Sequence, residues 1–191
     1  EDYKKGSAQK LKSINIKNIG QTINLGKFKA SFFQIEHSIM DAVGVTLQTP
    51  AGTVIHPGDW MMDRNDKGVP NIDYYHLRKL PNPKVLMLES LGSTRSDQPG
   101  ASRDVYANLY EVISRAQGRI IVGTFSSQVE RVKWLIETAR KLGKKVFLDG
   151  YSMKKNVEIA KRLGYIKFPK NLVLDVSKVK NYPDEKVILI C

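Results

Sequence analysis

The hydrophobic pattern of the chain changes its period near residue 103, and this change limits the folds that are open to it. Between residues 12 and 60, apolar and polar residues alternate in short stretches separated by Gly20, Gly26 and Pro50-Ala51-Gly52. Such alternation is typical of strands whose two faces differ, and the separators are residues that form turns. We therefore expect the first half to be a meander of antiparallel strands.

From Arg103 onward the apolar residues recur at helical spacing. They predict three amphipathic helices, which end near Gly118, Gly143 and Leu163, the third of them opened by Ser152. Apolar runs over residues 119–124 and 145–148 separate these helices and predict strands. Helices that alternate with strands imply a parallel sheet covered by helices, so the predicted fold class is α/β.

The stretch that joins the two patterns is rich in turn-forming residues. Residues 64–83 predict a loop with at most a short helix around Tyr74 to Leu80. The apolar run Val85 to Leu88 predicts a buried strand. Residues 90–102 combine glycine and proline with several hydroxyl side chains, so we expect a domain boundary or an exposed loop there.

The 191 residues carry a formal net charge of +12, with a calculated pI near 9.7, and the basic excess is larger in the second half. Such a charge favours a polyanionic partner such as nucleic acid. The alternative is that the same charge only keeps the protein in solution. No apolar run approaches the roughly 20 residues that span a bilayer, so no membrane partner is expected. The only cysteine is Cys191 and no secretory signal is visible, so we expect a cytoplasmic protein without a disulfide framework.

Two side chains able to bind metal stand at predicted strand ends. His37 follows one apolar strand directly, and Asp59 follows another through His56-Pro57-Gly58. Imidazole and carboxylate groups on rigid strand ends are typical of metal sites. A histidine there also serves as a hydrogen-bonded structural residue, and an aspartate after Pro-Gly also forms turns, so spacing alone leaves both interpretations open.

A resemblance to a known family is carried by runs that follow one another along the chain. These runs are His37-Ser38-Ile39-x-Asp41-x-Val43-Gly44-Val45, Thr49-x-x-Gly52-x-Val54-Ile55-His56-x-Gly58-Asp59, Glu89-Ser90, Gln98-Pro99-Gly100, Gly118-Arg119-Ile120-Ile121-Val122-x-Thr124-Phe125-Ser126-Ser127, and Gly150-x-Ser152-Met153 through Leu163-Gly164-Tyr165. In this order they resemble the third and fourth motifs of metallo-β-lactamase-fold nucleases and then landmarks of the β-CASP insertion. The pattern is most similar to the ribonuclease J family and covers about residues 12–191.

The resemblance implies a domain division and an activity. Residues 1–95 would form the C-terminal portion of a metallo-β-lactamase domain, an αββα sandwich, and residues 96–191 the first portion of a β-CASP α/β domain. The implied activity is zinc-dependent hydrolysis of RNA phosphodiester bonds, by 5′–3′ exonuclease action, endonuclease action or both. The implied partner is RNA, and the full-length protein would be a homo-oligomer.

The resemblance also implies roles for single residues around two zinc ions. His37 would bind one ion and Asp59 would bridge both, which makes them the candidate catalytic and metal-binding residues. His56 falls on a position that does not bind metal and is interpreted as a supporting residue, while Asp41 belongs to the same motif. Glu89 matches the acidic residue that opens the β-CASP region, although a surface carboxylate at a strand end is the alternative.

Residues at two helix entrances are candidate contacts for RNA phosphate. Ser127 and Ser152 each follow a predicted parallel strand, where hydroxyls and free backbone N–H groups bind anions, although the same geometry produces ordinary helix capping. Gln128 stands where relatives usually have asparagine. Lys154 and Lys155 follow Ser152 and add positive charge.

The family's principal metal motif, His-x-His-x-Asp-His, is absent, because the chain has three histidines and they cannot form it. We therefore expect the missing ligands to lie before residue 1, the chain to be a fragment with little catalysis of its own, and its last strand to lead into further family motifs. A non-catalytic RNA-binding or assembly subunit fits the missing motif equally well. A DNA-processing β-CASP nuclease is the third alternative.

Overall fold

The computed structural model describes residues 17–62, 69–94 and 102–191, whose strands form two separate sheets. Parts of three predicted features lie outside these residues: the start of the strand meander, the start of the predicted loop at residues 64–68, and the run Gln98-Pro99-Gly100. No helix in the described part is long and apolar enough to cross a membrane.

Within the described residues, the first sheet contains five strands in sequence order. They are β1 (Thr22–Leu25), β2 (Phe28–Gln34), β3 (Val43–Thr49), β4 (Gly52–His56) and β5 (Lys84–Leu86). The first four pair antiparallel with their neighbours, whereas β5 pairs parallel with β4. The predicted antiparallel meander is confirmed for these strands.

One face of this sheet carries a small core. Phe33, Ile35 and Ile55 are buried there against partly buried side chains that include Trp60 and Tyr74. Gly44 lies opposite Phe33 in the β2–β3 register, and a Cβ atom at Gly44 would stand 2.3 Å from Cζ of Phe33. Glycine at this position therefore leaves the space that the Phe33 ring occupies.

The prediction of a buried strand at Val85 to Leu88 is wrong. The strand β5 covers Lys84–Leu86, and the four apolar side chains from Val85 to Leu88 are between 49% and 56% exposed. The cause is position, because β5 is the outer strand of the sheet and is hydrogen-bonded only to β4 within the described residues. The short helix predicted before it is confirmed as α1 (Tyr75–Arg78).

The second half forms a parallel sheet with helices, as predicted. Its elements are α2 (Ser102–Arg115), β6 (Ile120–Val122), α3 (Val129–Lys141), β7 (Lys145–Leu148), α4 (Tyr151–Arg162), β8 (Val173–Asp175) and β9 (Val187–Ile190). The strand order is β6-β9-β7-β8, and every neighbouring pair is parallel. The α/β fold class is therefore confirmed.

The larger core lies between this parallel sheet and its helices. One cluster of buried side chains joins the helices to the strands. It includes Leu135 and Ala139 of α3, Val146 of β7, Ile188 of β9 and Val157 of α4. The helices α3 and α4 both begin where a parallel strand has just ended. The carboxyl ends of β6 and β7 thus share one edge of the sheet, and the segments with Ser127 and Ser152 follow this edge.

Candidate active-site cleft

His37 lies in a closed loop between β2 and β3. The backbone N–H of Ile35 donates to the carbonyl of Ala42 at 3.1 Å, which joins the two ends of the loop. Asp41 has φ 54, in the left-handed region that non-glycine residues seldom occupy. The loop that presents His37 is therefore fixed at its base and contains a strained residue next to that base.

The structure brings the His37 loop beside the segment that follows Asp59. Glu36 and Met61 form an isolated antiparallel bridge, in which the N–H of Met61 donates to the carbonyl of Glu36 at 2.9 Å. Trp60, between Asp59 and Met61, is held in turn because its indole N–H donates to the Tyr74 hydroxyl at 3.1 Å. The two candidate metal-binding residues thus stand on adjacent, hydrogen-bonded segments.

His56 shapes the turn that presents Asp59. Its Nδ1 accepts a hydrogen bond from the N–H of Gly58 at 2.9 Å, and Gly58 has φ 74. Asp59 follows this turn with an exposed side chain, whereas His37 is half-buried. In this geometry His56 supports the backbone next to Asp59.

A cavity of about 510 Å³ lies between the His37 loop and the helices of the second half. We call it the His37 cleft. Its walls include His37, Asp41, Tyr106, Glu130 and Arg131. His37 therefore faces a space to which both halves of the chain contribute.

A second cavity, of about 300 Å³, is also lined by residues of this loop. We call it the Asn156 cleft, and its walls include Asp41, Ser127, Asn156 and Tyr165. The Tyr165 hydroxyl donates a hydrogen bond to the Asp41 carboxylate, and this bond raises the pKa of Tyr165 above its ordinary value. Asp41 therefore belongs to both clefts and is linked to the second half.

The donors in place do not make a complete metal site. Histidine nitrogen and aspartate oxygen are ligands that zinc uses, but a zinc ion in a protein is nearly always four-coordinate. Within residues 17–62, 69–94 and 102–191, no three histidine, cysteine, aspartate or glutamate side chains come together to hold a metal ion. His37 and Asp59 have the donor chemistry of zinc ligands, but two donors are too few to complete a zinc site.

The two serines differ in their surroundings. Ser127 lines the Asn156 cleft and precedes Gln128, which stands at the N-terminal cap of α3 without a capping side-chain bond. Gln128 instead accepts a hydrogen bond from the Thr124 hydroxyl at 3.0 Å. Ser152 is the second residue of α4, is exposed and lines neither cleft. The helix entrances after β6 and β7 therefore lack side-chain caps.

Asn156 and Tyr165 are functional candidates that sequence reasoning missed as site residues. The Asn156 amide donates to the Ser126 carbonyl at 2.9 Å and fixes the segment before α3 against α4. Gly164, with φ 85, follows the end of α4, and the Tyr165 N–H then bonds back to Ala160 at 2.9 Å. The Gly164-Tyr165 pair was a visible signal, whereas nothing around Asn156 marked it.

The candidate lysines already have partners. Lys154 donates to Asp175 at 2.9 Å, and the Lys155 ammonium lies 5.9 Å from the centre of the Tyr151 ring. The pKa of Asp175 is lowered, chiefly by the backbone N–H of Ser177 and then by Lys154. Both lysines are half-buried at the entrance of α4.

Glu89 lies apart from both clefts. Its exposed carboxylate accepts a hydrogen bond from the backbone N–H of Leu91 and so closes a local turn after β5. Nothing in the described residues connects Glu89 with His37 or Asp59.

Comparisons with known proteins identify relatives of this chain. Residues 117–191 match the family model described as ribonuclease J, beta-CASP domain. The chain is 34% identical over 169 residues to ribonuclease J of Mycoplasma genitalium, covering 86% of this chain and 29% of that protein. It is 36% identical over 171 residues to ribonuclease J of Helicobacter pylori strain J99. That match covers 88% of this chain and 25% of that protein.

The chain is related to ribonuclease J. The resemblance read from the motifs is therefore confirmed, and the match lies in the half that carries the parallel sheet. The chain spans between a quarter and a third of the length of these ribonuclease J relatives.

A solved structure supports the fold independently. The crystal structure of a protein of unknown function from Enterococcus faecalis V583 superposes with a TM-score of 0.65. The superposition covers 94% of this chain and 45% of that one, at 13% sequence identity. At this identity the likeness concerns the fold alone.

Proposed function

We propose that the chain is part of a zinc-dependent ribonuclease that hydrolyses RNA phosphodiester bonds, as in RNA processing and decay. The observation that supports this most is the bridge between Glu36 and Met61, which sets the His37 loop beside the Asp59 segment at a cleft between the two halves. His37 and Asp59 would be metal ligands in this proposal, together with donors beyond those described.

The domain division remains part of the proposal. Residues 1–95 would be the C-terminal portion of the metallo-β-lactamase domain, and residues 96–191 the first portion of the β-CASP domain. The antiparallel first sheet and the parallel second sheet support a division between them. Cytoplasmic location and a homo-oligomeric full-length protein are likewise proposed from the family.

The residues of this chain would act on RNA by binding and orienting it. A net charge of +12 attracts the phosphate backbone. The Ser127 and Asn156 side chains in the Asn156 cleft add polar contacts without a charge of their own. Further candidate phosphate contacts lie at the entrances of α3 and α4. They are Gln128, Ser152, Lys154 and Lys155.

A non-catalytic RNA-binding or assembly subunit is the second candidate function. The observation that favours it is that the described residues bring together no set of three metal donors. Both candidate functions include RNA binding, and only the ribonuclease would also cleave the RNA.

Titration of the 191-residue chain with fluorescent single-stranded RNA tests the shared part. We expect binding whose log affinity falls linearly with log salt, by about 0.7 for each neutralised phosphate on a single strand. DNA of the same sequence is the control that distinguishes a DNA-processing relative. Absence of RNA binding at low salt, or binding of the DNA alone, would contradict the proposal.

A further inference from the structure

We propose that Arg131 binds a phosphate of the RNA strand inside the His37 cleft, an inference that rests on the RNA-binding function proposed above. Arg131 is the third residue of α3 and lines the cleft together with His37. Among the described residues that line this cavity, Arg131 is the one lysine or arginine. An anion that enters the cleft from solvent therefore meets a permanent cation at Arg131.

The guanidinium of Arg131 is incompletely satisfied. Its Nε atom is buried, and no acceptor for that N–H is present among the residues that the structure describes. Buried donors of native proteins nearly always have a partner, because removal from water is costly without one. A guanidinium has donors only and no acceptor of its own, so the acceptor has to come from another group.

The carboxylates that line the same cleft do not fill this need. Asp41 accepts its hydrogen bond from Tyr165, and the Glu130 carboxylate lies 3.8 Å from the Lys133 ammonium. Glu36 also has a partner of its own. Three acidic groups thus stand near Arg131 and none of them pairs with it.

A phosphodiester in the cleft would bind the guanidinium through its terminal N–H groups, because the Nε atom itself is buried. It brings one negative charge and two unesterified oxygens, which match the planar fork of a guanidinium. The acidic neighbours repel a loosely held strand, so a phosphate would be favoured only where Arg131 offsets them. The geometry therefore points to one specific phosphate contact beside His37, distinct from the general basic surface.

The test compares the wild-type chain with Arg131→Gln and Arg131→Lys in the same RNA titration at several salt concentrations. Arg131→Gln should weaken binding about tenfold and reduce the salt slope by about 0.7. Arg131→Lys should keep the slope and lose part of the affinity, because lysine keeps the charge without the fork. The control is Arg115→Gln, an exposed arginine that pairs with Glu111 at 2.8 Å and lines neither cleft.

The possible outcomes separate the role of Arg131 from the proposed RNA-binding function. If wild-type chain binds RNA and Arg131→Gln has the same affinity and slope, the role of Arg131 is overturned while the proposed function stands. If the wild-type chain itself binds no RNA, the proposed function fails first. If melting curves show that Arg131→Gln does not fold, Arg131→Lys decides, and an unchanged affinity in that variant overturns the inference.

Discussion

The hydroxyl of Tyr165 donates a hydrogen bond to the carboxylate of Asp41, and the two residues lie 124 positions apart in the chain. Asp41 belongs to the loop that presents His37, whereas Tyr165 follows the end of α4. This one bond therefore links the candidate metal-binding loop to the parallel-sheet half.

Removal of this hydroxyl should loosen the His37 loop without unfolding either sheet. In Tyr165→Phe we expect the amides of residues 37–42 to exchange hydrogen faster, while those of β7 and β9 keep their wild-type rates. The reason is that Asp41 loses its partner while its φ of 54 stays unfavourable. Tyr110→Phe, on the exposed surface of α2, is the matched control, and equal exchange in all three proteins would contradict the link.

The same bond predicts a dependence on alkaline pH. The folded pKa of Tyr165 is raised above the ordinary tyrosine value of about 10, so the neutral hydroxyl is favoured in the folded chain. Its contribution to stability is therefore complete below about pH 10 and is lost as pH rises through the higher folded pKa. Tyrosinate absorbance should show one late-titrating group that Asp41→Asn brings back to the ordinary range.

Much of the fold could be predicted from local pattern, and contacts across the chain could not. The alternation that includes Phe33 and Ile55 predicts strands, and the helical spacing after Arg103 predicts α2 to α4. The exposure of Val85 to Leu88 was not predictable, because an apolar run does not show whether anything covers it.

For the candidate site as well, some residues could be predicted from the sequence and others only from the folded structure. His37, Asp41 and Asp59 could be singled out, since motif and strand-end position mark them. Asn156 could not, because its contact with Ser126 joins segments 30 residues apart and depends on how α4 packs. The position of Arg131 in the cleft, with no acceptor for its Nε atom among the described residues, likewise appears only in the folded structure.

The close approach between Gly44 and Phe33 predicts a stability difference between two glycine variants. Gly44→Ala should lower the free energy of unfolding by about 1–3 kcal/mol, because the new methyl group overlaps the Phe33 ring. Gly118→Ala is the control, since nothing lies within 4 Å of a Cβ at that position. Urea unfolding of both variants measures this, and equal midpoints would rule out the steric account.

The basic pair at the entrance of α4 should contact the RNA backbone without reading its sequence. Lys154→Ala combined with Lys155→Ala should weaken binding equally for unrelated RNAs and reduce the salt slope by up to about 1.4. An unchanged slope would show that the two lysines do not contact RNA phosphates and serve only their contacts with Asp175 and Tyr151. A loss confined to RNA with a 5′-monophosphate would instead place the pair beside a terminal phosphate, near Ser152.

The 191-residue chain should hold zinc weakly. Two donors, His37 and Asp59, cannot surround an ion that prefers four ligands. Metal analysis after dialysis checks this expectation. About two tightly held equivalents of zinc per chain would show that further donors, or a second copy of the chain, complete the site.

The central claim is that Asp59 serves cleavage while the basic surface serves binding, and one paired measurement tests it most directly. In a ribonuclease-active protein that contains this chain, single-turnover cleavage and filter binding are followed for Asp59→Ala and for Asp184→Ala. Asp184 is an exposed aspartate that pairs with Arg119 at 2.5 Å and lines neither cleft. The account predicts that Asp59→Ala abolishes cleavage with RNA affinity largely intact, and that Asp184→Ala changes neither. Cleavage at the wild-type rate by Asp59→Ala would contradict the account.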